Sequence, residues 1–135
     1  MLRYMLDTNL CIRVLRDRPK NIRKKFNEEA SSLCISTVVL YELLAGARKS
    51  ARPEHNLLQV ESFASRLEVL DYDTPASDHT AEIRNSLEQA RCVIGPYDLM
   101  IAGHARSRGL CVVTGNLGEF SRVKGLLCED WIGFE

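Results

Sequence analysis

Short apolar runs alternate along this chain with longer segments in which apolar residues recur at helical spacing. Short apolar runs are typical of buried strands, and longer amphipathic segments are typical of helices. The predicted strands are Tyr4–Leu6, Leu33–Ser36, Leu67–Leu70 and Leu110–Thr114. The predicted helices cover about 9–17, 20–29, 37–49, 54–65, 76–91 and 96–108. This alternation predicts an α/β domain built on a parallel sheet.

Proline and glycine positions support the same division of the chain. Proline is tolerated in the first turn of a helix, because its missing N–H would have no partner there. The four prolines near proposed helix starts are Pro19, Pro53, Pro75 and Pro96. Gly109 follows the last long helix, where a glycine commonly ends a helix. Because no linker, repeat or low-complexity tract interrupts the pattern, we expect one domain over residues 1–135.

Composition and charge narrow the class of protein without identifying it. Of the 135 residues, 45% are hydrophobic and 27% are charged, which is ordinary for a globular domain. The 18 basic and 18 acidic residues cancel, which argues mildly against a protein that coats nucleic acid and not against an enzyme that cuts it. No apolar run reaches the roughly 20 residues of a membrane span, and the N-terminus lacks a signal-peptide core. We therefore expect a cytoplasmic protein with no membrane partner.

The five cysteines are odd in number, widely spaced and without a CxxC pair: Cys11, Cys34, Cys92, Cys111 and Cys128. Three of them lie inside apolar stretches, so we expect free thiols in a reducing compartment rather than disulfides or a zinc site.

Basic residues are concentrated near the N-terminus. Eight of the 18 lie in residues 1–25: Arg3, Arg13, Arg16, Arg18, Lys20, Arg23, Lys24 and Lys25. A solvated helical face is the simpler explanation. A rim that attracts phosphate becomes the better one only if an acidic metal site lies nearby.

Two acidic residues are embedded in apolar sequence, where carboxylates are unusual. Asp7 ends the first predicted strand, and ligands of open parallel sheets bind beyond the carboxyl ends of strands. Asp7 equally suits an N-cap for the helix that follows. Glu42 is the only charged residue of Val38–Ala47, so its helix is expected to be buried on both sides. A carboxylate there must be paired, protonated or bound to a cation, and a salt bridge to an arginine is the structural alternative.

Two further carboxylates are expected at the same edge of the sheet. Asp98 falls in the first turn of the last long helix, where the helix dipole alone favours an anion. The helix beyond it is apolar as far as His104, so this end is also expected to be buried. Glu119 lies just past the last predicted strand, near Thr114 and Asn116. A polar surface turn is the simpler interpretation of Glu119.

Together these positions place three or four carboxylates at strand ends and helix starts along one edge of the sheet. Clustered carboxylates repel one another, and a hard cation among them relieves the repulsion. Oxygen ligands without histidine or cysteine select Mg²⁺ or Mn²⁺ over zinc. Carboxylate-bound magnesium usually acts on phosphates, because it orients an attacking water and stabilises the leaving oxygen. The residues alone therefore predict a metal-dependent phosphoryl-transfer enzyme.

Six motifs are spread over the chain: Met5-Leu6-Asp7-Thr8-Asn9, Ile35-Ser36, Tyr41-Glu42-Leu43 with Gly46, Gly95-Pro96-Tyr97-Asp98, Ile101-Ala102-Gly103-His104-Ala105, and Val113-Thr114-Gly115-Asn116 with Glu119-Phe120. In this order and spacing the chain resembles the PIN-domain ribonucleases, and among them the VapC-type toxins of bacterial toxin–antitoxin systems. The resemblance covers essentially the whole chain. It implies a PIN-like α/β/α sandwich around a twisted parallel sheet, with single-stranded or loop RNA as the substrate.

The resemblance also implies a role for each site residue. We expect catalysis by Asp7, Glu42, Asp98 and Glu119, metal binding by Asp7, Asp98 and Glu42, and substrate contacts by Thr8, Thr114 and Asn116. On the same likeness the two threonine hydroxyls orient the carboxylates. Where many relatives carry a fourth aspartate, this chain has Asn116. Glu119 is expected to take over that role, and a second metal would be weakly held.

The family likeness implies partners as well. We expect a magnesium-dependent endoribonuclease toxin that cleaves transfer RNA, forms homodimers, and is inhibited by a VapB-type antitoxin in a toxin–antitoxin hetero-oligomer. The basic residues at 13–25 then gain a role in contacting the RNA backbone, although the antitoxin groove competes for the same helices.

Two other classes of protein remain as alternatives. A phosphatase or phosphotransferase with a strand-end aspartate usually needs a second acid where Asn9 stands. A non-catalytic RNA-binding module would have a decayed site, and the intact Asp7, Glu42 and Asp98 argue against decay.

Overall fold

The computed structural model describes residues 1–132, and strands and helices alternate through this range. In chain order the elements are β1 Tyr4–Leu6, α1 Thr8–Arg16, α2 Ile22–Glu29, a 3₁₀ turn Ala30–Ser32, β2 Leu33–Ser36, α3 Thr37–Arg48, α4 Pro53–Ala64, β3 Glu68–Leu70, α5 Thr74–Gln89, α6 Pro96–Ser107, β4 Cys111–Val113, α7 Leu117–Phe120 and β5 Cys128–Glu129. The predicted strands and helices are confirmed, with bounds shifted by at most two residues. The 3₁₀ turn, α7 and β5 were not predicted, because elements this short show no periodicity.

The five strands form one parallel sheet in the order β3-β2-β1-β4-β5. From the central strand β1 the chain builds β2 and β3 on one side and later adds β4 and β5 on the other. The order therefore reverses between β1 and β4, and ligands of such sheets bind in the crevice at the carboxyl ends of these strands. Every residue of β1 is buried although successive side chains point to opposite faces, so helices cover both faces of the sheet. The predicted α/β/α sandwich is confirmed.

Proline and glycine act at element ends much as expected. Pro53, Pro75 and Pro96 lie in the first turns of α4, α5 and α6. Pro19 does not start a helix, since α2 begins only at Ile22. Gly109 has a φ of +66°, the left-handed conformation that ends a helix and favours glycine.

Buried side chains from both sides of the sheet join in one hydrophobic core, which includes β1, β2 and β4 and the inner faces of the long helices. All five cysteines carry free thiols, as predicted; Cys11 and Cys34 are buried and the others partly so. Among residues 1–132, no helix combines the length and apolar character that crossing a membrane requires. The last three residues of the predicted domain, 133–135, lie outside the described range.

Candidate active site

The fold carries the four predicted carboxylates to the carboxyl edge of the sheet by four separate routes. Asp7 follows β1 directly, and Glu42 lies in the second turn of α3, which begins where β2 ends. Asp98 lies in the first turn of α6, whose chain then returns to form β4. Glu119 lies in α7, the short helix that follows β4. Because the strands are parallel, their carboxyl ends meet at one edge.

Asp7 is the N-cap of α1, and it also lies at the carboxyl edge of the sheet. It is buried, and its Oδ1 accepts a 2.8 Å hydrogen bond from the Leu10 backbone N–H as the N-cap of α1. Its Oδ2 accepts a 2.5 Å hydrogen bond from the Thr114 hydroxyl. Burial raises the pKa of Asp7, the two hydrogen bonds lower it, and the charge of Glu42 raises it again. The carboxylate is thus fixed in position at the switch point between β1 and β4.

Glu42 lies in a more open environment than its apolar sequence predicts. Tyr41 beside it is 55% exposed, and Glu42 itself is partly exposed, so the prediction that α3 is buried on both sides is wrong. One apolar face of α3 packs on the core, and the other faces the open side of the site. Within residues 1–132, Glu42 forms no salt bridge; its Oε1 accepts a 2.5 Å hydrogen bond from the Thr8 hydroxyl.

Asp98 and Glu119 form a hydrogen-bonded pair of carboxyl groups. The pKa of Asp98 is raised from 3.8 to about 7, first by burial and then by a hydrogen bond with Glu119 and the charge of Glu119. The charges of Asp7 and Glu42 raise the pKa of Asp98 further. Asp98 therefore lies close enough to each of the other three carboxylates to be influenced by its charge. The start of α6 is less enclosed than predicted, because Asp98 is only partly buried and Tyr97 is 41% exposed.

The predicted hydroxyl and amide residues lie next to the carboxylates, and the two hydroxyl groups hydrogen-bond to them. The buried Thr114 donates to Asp7 and accepts a 2.8 Å hydrogen bond from the Asn116 backbone N–H. Thr114 therefore orients Asp7, as the resemblance implied, and no face of it is open to a substrate. Thr8 orients Glu42 in the same way. Asn116 begins α7, and its side chain faces a cleft beside the cluster.

The donor chemistry of the cluster fits a hard divalent cation. The candidate ligands are all carboxylate oxygens, and burial first and then neighbouring carboxylates raise the pKa values of Asp7 and Asp98. Within residues 1–132, no three histidine, cysteine, aspartate or glutamate side chains are placed to bind one ion together. Mg²⁺ is commonly held by one or two carboxylates and several waters, so this arrangement suits Mg²⁺ better than an ion that needs a complete protein cage.

Comparison with known proteins places this site in a family. The family model of the PIN domain matches residues 4–126. The chain belongs to the PIN domain family. It is 56% identical to the tRNA(fMet)-specific endonuclease VapC of Salmonella typhimurium, over 97% of this chain and 99% of that protein. It is 45% identical to Ribonuclease VapC2 of Haemophilus influenzae, over 98% of this chain and 100% of that protein. Within the PIN domain family, the chain is a VapC-type protein.

Solved structures of PIN domain proteins share this fold closely. DNA-bound VapBC from Salmonella typhimurium matches with a TM-score of 0.93 at 56% identity, covering 97% of this chain and 99% of that chain. VapBC2 from Rickettsia felis, bound to a DNA fragment from its promoter, matches with a TM-score of 0.90 at 35% identity, covering 96% and 99%. Membership of this family argues against the phosphatase alternative, which rested on the strand-end aspartate alone.

The PIN domain site of this chain also has an aromatic border that sequence reasoning missed. The rings of Tyr41 and Tyr97 lie 5.8 Å apart, and their hydroxyl oxygens are 3.5 Å apart. Each tyrosine directly precedes a site carboxylate, Glu42 or Asp98. This repeated tyrosine–acid pair is a signal that the sequence carries, although nothing local shows that the two rings meet.

Proposed function

We propose that this chain is a magnesium-dependent endoribonuclease that cleaves transfer RNA, and that it is the toxin of a toxin–antitoxin pair. The cluster of four carboxylates at the switch point of the sheet, in which Asp98 is influenced by the other three, carries the proposal. The names of two relatives, a tRNA(fMet)-specific endonuclease and a ribonuclease, support RNA as the substrate.

Asp7 and Asp98 are the proposed direct ligands of Mg²⁺, and Glu42 the ligand that acts directly or through water. When bound, Mg²⁺ orients a water for attack on the phosphate and stabilises the leaving oxygen. Asp7 is suited to this role because two hydrogen bonds hold it in one orientation before any ligand arrives. Glu42 has one oxygen occupied by the Thr8 hydroxyl, which leaves the other free to hold a water.

Glu119 is the better candidate for the fourth acidic position. It contacts Asp98 and influences its pKa, whereas the backbone N–H of Asn116 supports Thr114. We therefore assign Glu119 to the catalytic cluster and Asn116 to the edge of the substrate path.

The proposed antitoxin contact lies on a groove between α1, α3 and α4. This groove has a volume of about 400 Å³, and its lining includes the apolar side chains of Ile12, Leu15, Leu43 and Val60 together with Glu42. An antitoxin segment bound there would reach a site carboxylate and block access of RNA. Solved VapBC structures with TM-scores of 0.93 and 0.90 support a partner of this kind.

Cleavage of initiator transfer RNA by the purified chain tests the proposal. We expect shortened RNA in MgCl₂, intact RNA in EDTA, and recovery when Mg²⁺ is restored. Asp98→Asn should lower the cleavage rate by more than about 100-fold. The exposed Asp78 offers a matched control, and Asp78→Asn should cut like the parent.

Other outcomes would contradict specific parts of the proposal. RNA that is bound but keeps its length would identify a non-catalytic RNA-binding module. Cleavage that continues in EDTA would show that the reaction does not need a divalent metal ion. Cleavage of other RNAs at the same rate would remove transfer RNA as the preferred substrate, and sequencing of the 5′ ends of the fragments would identify the site that is cut.

A further inference from the structure

Three arginines line a cleft that opens beside the carboxylate cluster. The cleft has a volume of about 480 Å³, and its polar walls are formed by Asn9, Arg13, Arg16, Arg18 and Asn116. It lies between α1 and the segment that follows β4, on the side of Asp7 that faces the β1–β4 switch point. It adjoins the apolar groove between α1, α3 and α4, because Ile12 and Arg16 border both.

The helical spacing of α1 directs these side chains into the cleft. Asn9, Arg13 and Arg16 are separated by four and three residues, so they lie on one face of the helix. Leu10 and Val14 on the opposite face are buried in the core. The packing of α1 on the sheet therefore leaves its basic face exposed.

Arg13 brings this positive charge next to the candidate active site. A Cβ atom placed on Gly115 would lie 4.0 Å from the Arg13 Nε, so the guanidinium lies over the chain just after β4. The preceding residue, Thr114, is the one that holds Asp7. The charge of Arg13 also lowers the pKa of Asp7.

Other basic residues near the N-terminus have structural partners. The Arg23 guanidinium donates to the carbonyl oxygens of Val14 and Leu15 at 2.8–3.2 Å, and so caps the end of α1. Lys25 pairs with Glu29 at 3.5 Å. These contacts explain why Arg23 and Lys25 are present without any ligand.

The three cleft arginines have no such side-chain contacts. Within residues 1–132, the side chains of Arg13, Arg16 and Arg18 form no salt bridge and donate no hydrogen bond. The helix dipole favours Arg13 and Arg16, which lie in the last turn of α1, but Arg18 lies beyond that turn and Arg23 already binds the terminal carbonyls. Unpaired arginines that share one cleft are suited to an anionic ligand.

We propose that this cleft binds a backbone phosphate of the RNA strand beside the carboxylate cluster. Guanidinium groups bind phosphate oxygens through paired N–H donors, and the amides of Asn9 and Asn116 add neutral donors at the same wall. The juxtaposition of a cationic cleft and an acidic cluster orients the strand across the site. The identity of the ligand as RNA rests on the proposed function; the anion-binding character of the cleft does not.

Binding of a fluorescein-labelled single-stranded RNA oligonucleotide tests the proposal by anisotropy. The measurements use Asp98→Asn protein in EDTA, so that binding is observed without cleavage. Arg13→Gln and Arg18→Gln should each weaken binding and reduce the slope of log affinity against log salt by about 0.7–1. Arg16 is left unchanged because it also borders the apolar groove. Lys24→Gln removes the same charge outside the cleft and should change neither quantity.

Each other outcome overturns the assignment. Unchanged affinity and slope in both arginine variants would show that the cleft does not hold RNA. An equal loss of affinity in Lys24→Gln would show that RNA binding depends on the overall charge of the protein and not on this cleft. Binding of a polyglutamate peptide is measured in parallel. If the arginine variants bind RNA normally but no longer bind the peptide, the occupant of the cleft is an acidic protein segment. If RNA binding depends on the arginines but the parent protein does not cleave RNA, the assignment of the cleft is supported and the proposed cleavage activity is refuted.

Discussion

Replacing Asp98 by asparagine should stabilise the protein when divalent cations are absent. Folding partly buries the Asp98 carboxyl group, places it near three other carboxylates, and so raises its pKa from 3.8 to about 7. At neutral pH the folded chain therefore holds an ionised group that its surroundings disfavour. Asparagine has nearly the same shape, carries no charge, and can donate a hydrogen bond to Glu119.

The size of the effect follows from the change in pKa. A carboxyl group whose pKa rises from 3.8 to about 7 on folding lowers the free energy of unfolding by up to about 4 kcal/mol at pH 8. Solvent reaches part of Asp98 and screens the repulsion, so we expect a gain of about 1–2 kcal/mol for Asp98→Asn.

The pH dependence of this gain has a definite sign. Below pH 3.8 the carboxyl group is protonated in both the folded and the unfolded chain, and the substitution gives no advantage. Between pH 3.8 and about 7 only the unfolded chain loses the proton readily, so the folded protein loses stability as the pH rises. The gain should therefore be small at pH 4.5 and complete by pH 8.

Urea denaturation in EDTA measures this difference directly. Trp131 is the single tryptophan and packs against Tyr4 of β1 with ring centroids 5.5 Å apart, so its fluorescence reports unfolding. Asp78→Asn serves as the exposed control and should leave the free energy of unfolding within about 0.5 kcal/mol of the parent. Addition of MgCl₂ should stabilise the parent more than Asp98→Asn, because a ligand that binds only the folded state adds to its stability. If Asp98→Asn is no more stable than the parent at pH 8 in EDTA, the carboxylates do not repel one another as inferred.

Three further substitutions or titrations test the packing around the site. Gly103→Ala should destabilise the protein by about 1–3 kcal/mol in urea denaturation, because its Cβ would lie 2.7 Å from backbone atoms of α5; Gly46→Ala, with nothing within 4 Å of its Cβ, should stabilise it instead. Thr114→Val should lower the free energy of unfolding by about 1–3 kcal/mol and raise the pKa of Asp7, since it removes a buried donor. Thr114→Ser keeps the hydroxyl and should change both quantities little. A valine variant with the stability and the Asp7 pKa of the parent would contradict the role of the hydroxyl. His104 is buried and its pKa is lowered, so its NMR signals should show a neutral ring below pH 6.5, and stability should fall as the pH drops through that value; a ring that becomes charged at its ordinary pKa would refute this.

The individual carboxylates of the candidate site were predictable because each is unusual in its local sequence. Asp7 interrupts the end of an apolar strand, and Asp98 begins a long apolar helix. Glu42 was selected for a reason that proved wrong, because its helix is not enclosed on both sides. A sequence shows that a helix is apolar all round, but whether each face is covered depends on which neighbours pack against it. Beside Tyr41, which is 55% exposed, the helix contacts the ring of Tyr97 and is otherwise open to solvent.

The basic residues also show that local sequence does not determine which neighbours a side chain meets. In the sequence, Arg13 and Arg23 are equivalent members of one charged segment. In the structure, Arg23 binds the end of α1, whereas Arg13 faces a cleft beside Asp7. The direction of each side chain follows from the helix face on which it lies and from the angle at which α2 follows α1, and the second of these is a tertiary property.

Local sequence by itself determined the strands, the long helices and the first-turn positions of three prolines, because these depend on periodicity and backbone geometry over a few residues. Only the tertiary structure decided the strand order and the contacts that build the site. Thr114 binds Asp7 across 107 positions of sequence, and Thr8 binds Glu42 across 34. Such contacts exist because β1 lies between β2 and β4 in the sheet. That order depends on how the strands and helices of the whole chain bury their apolar faces together, and no short segment carries the information that sets it.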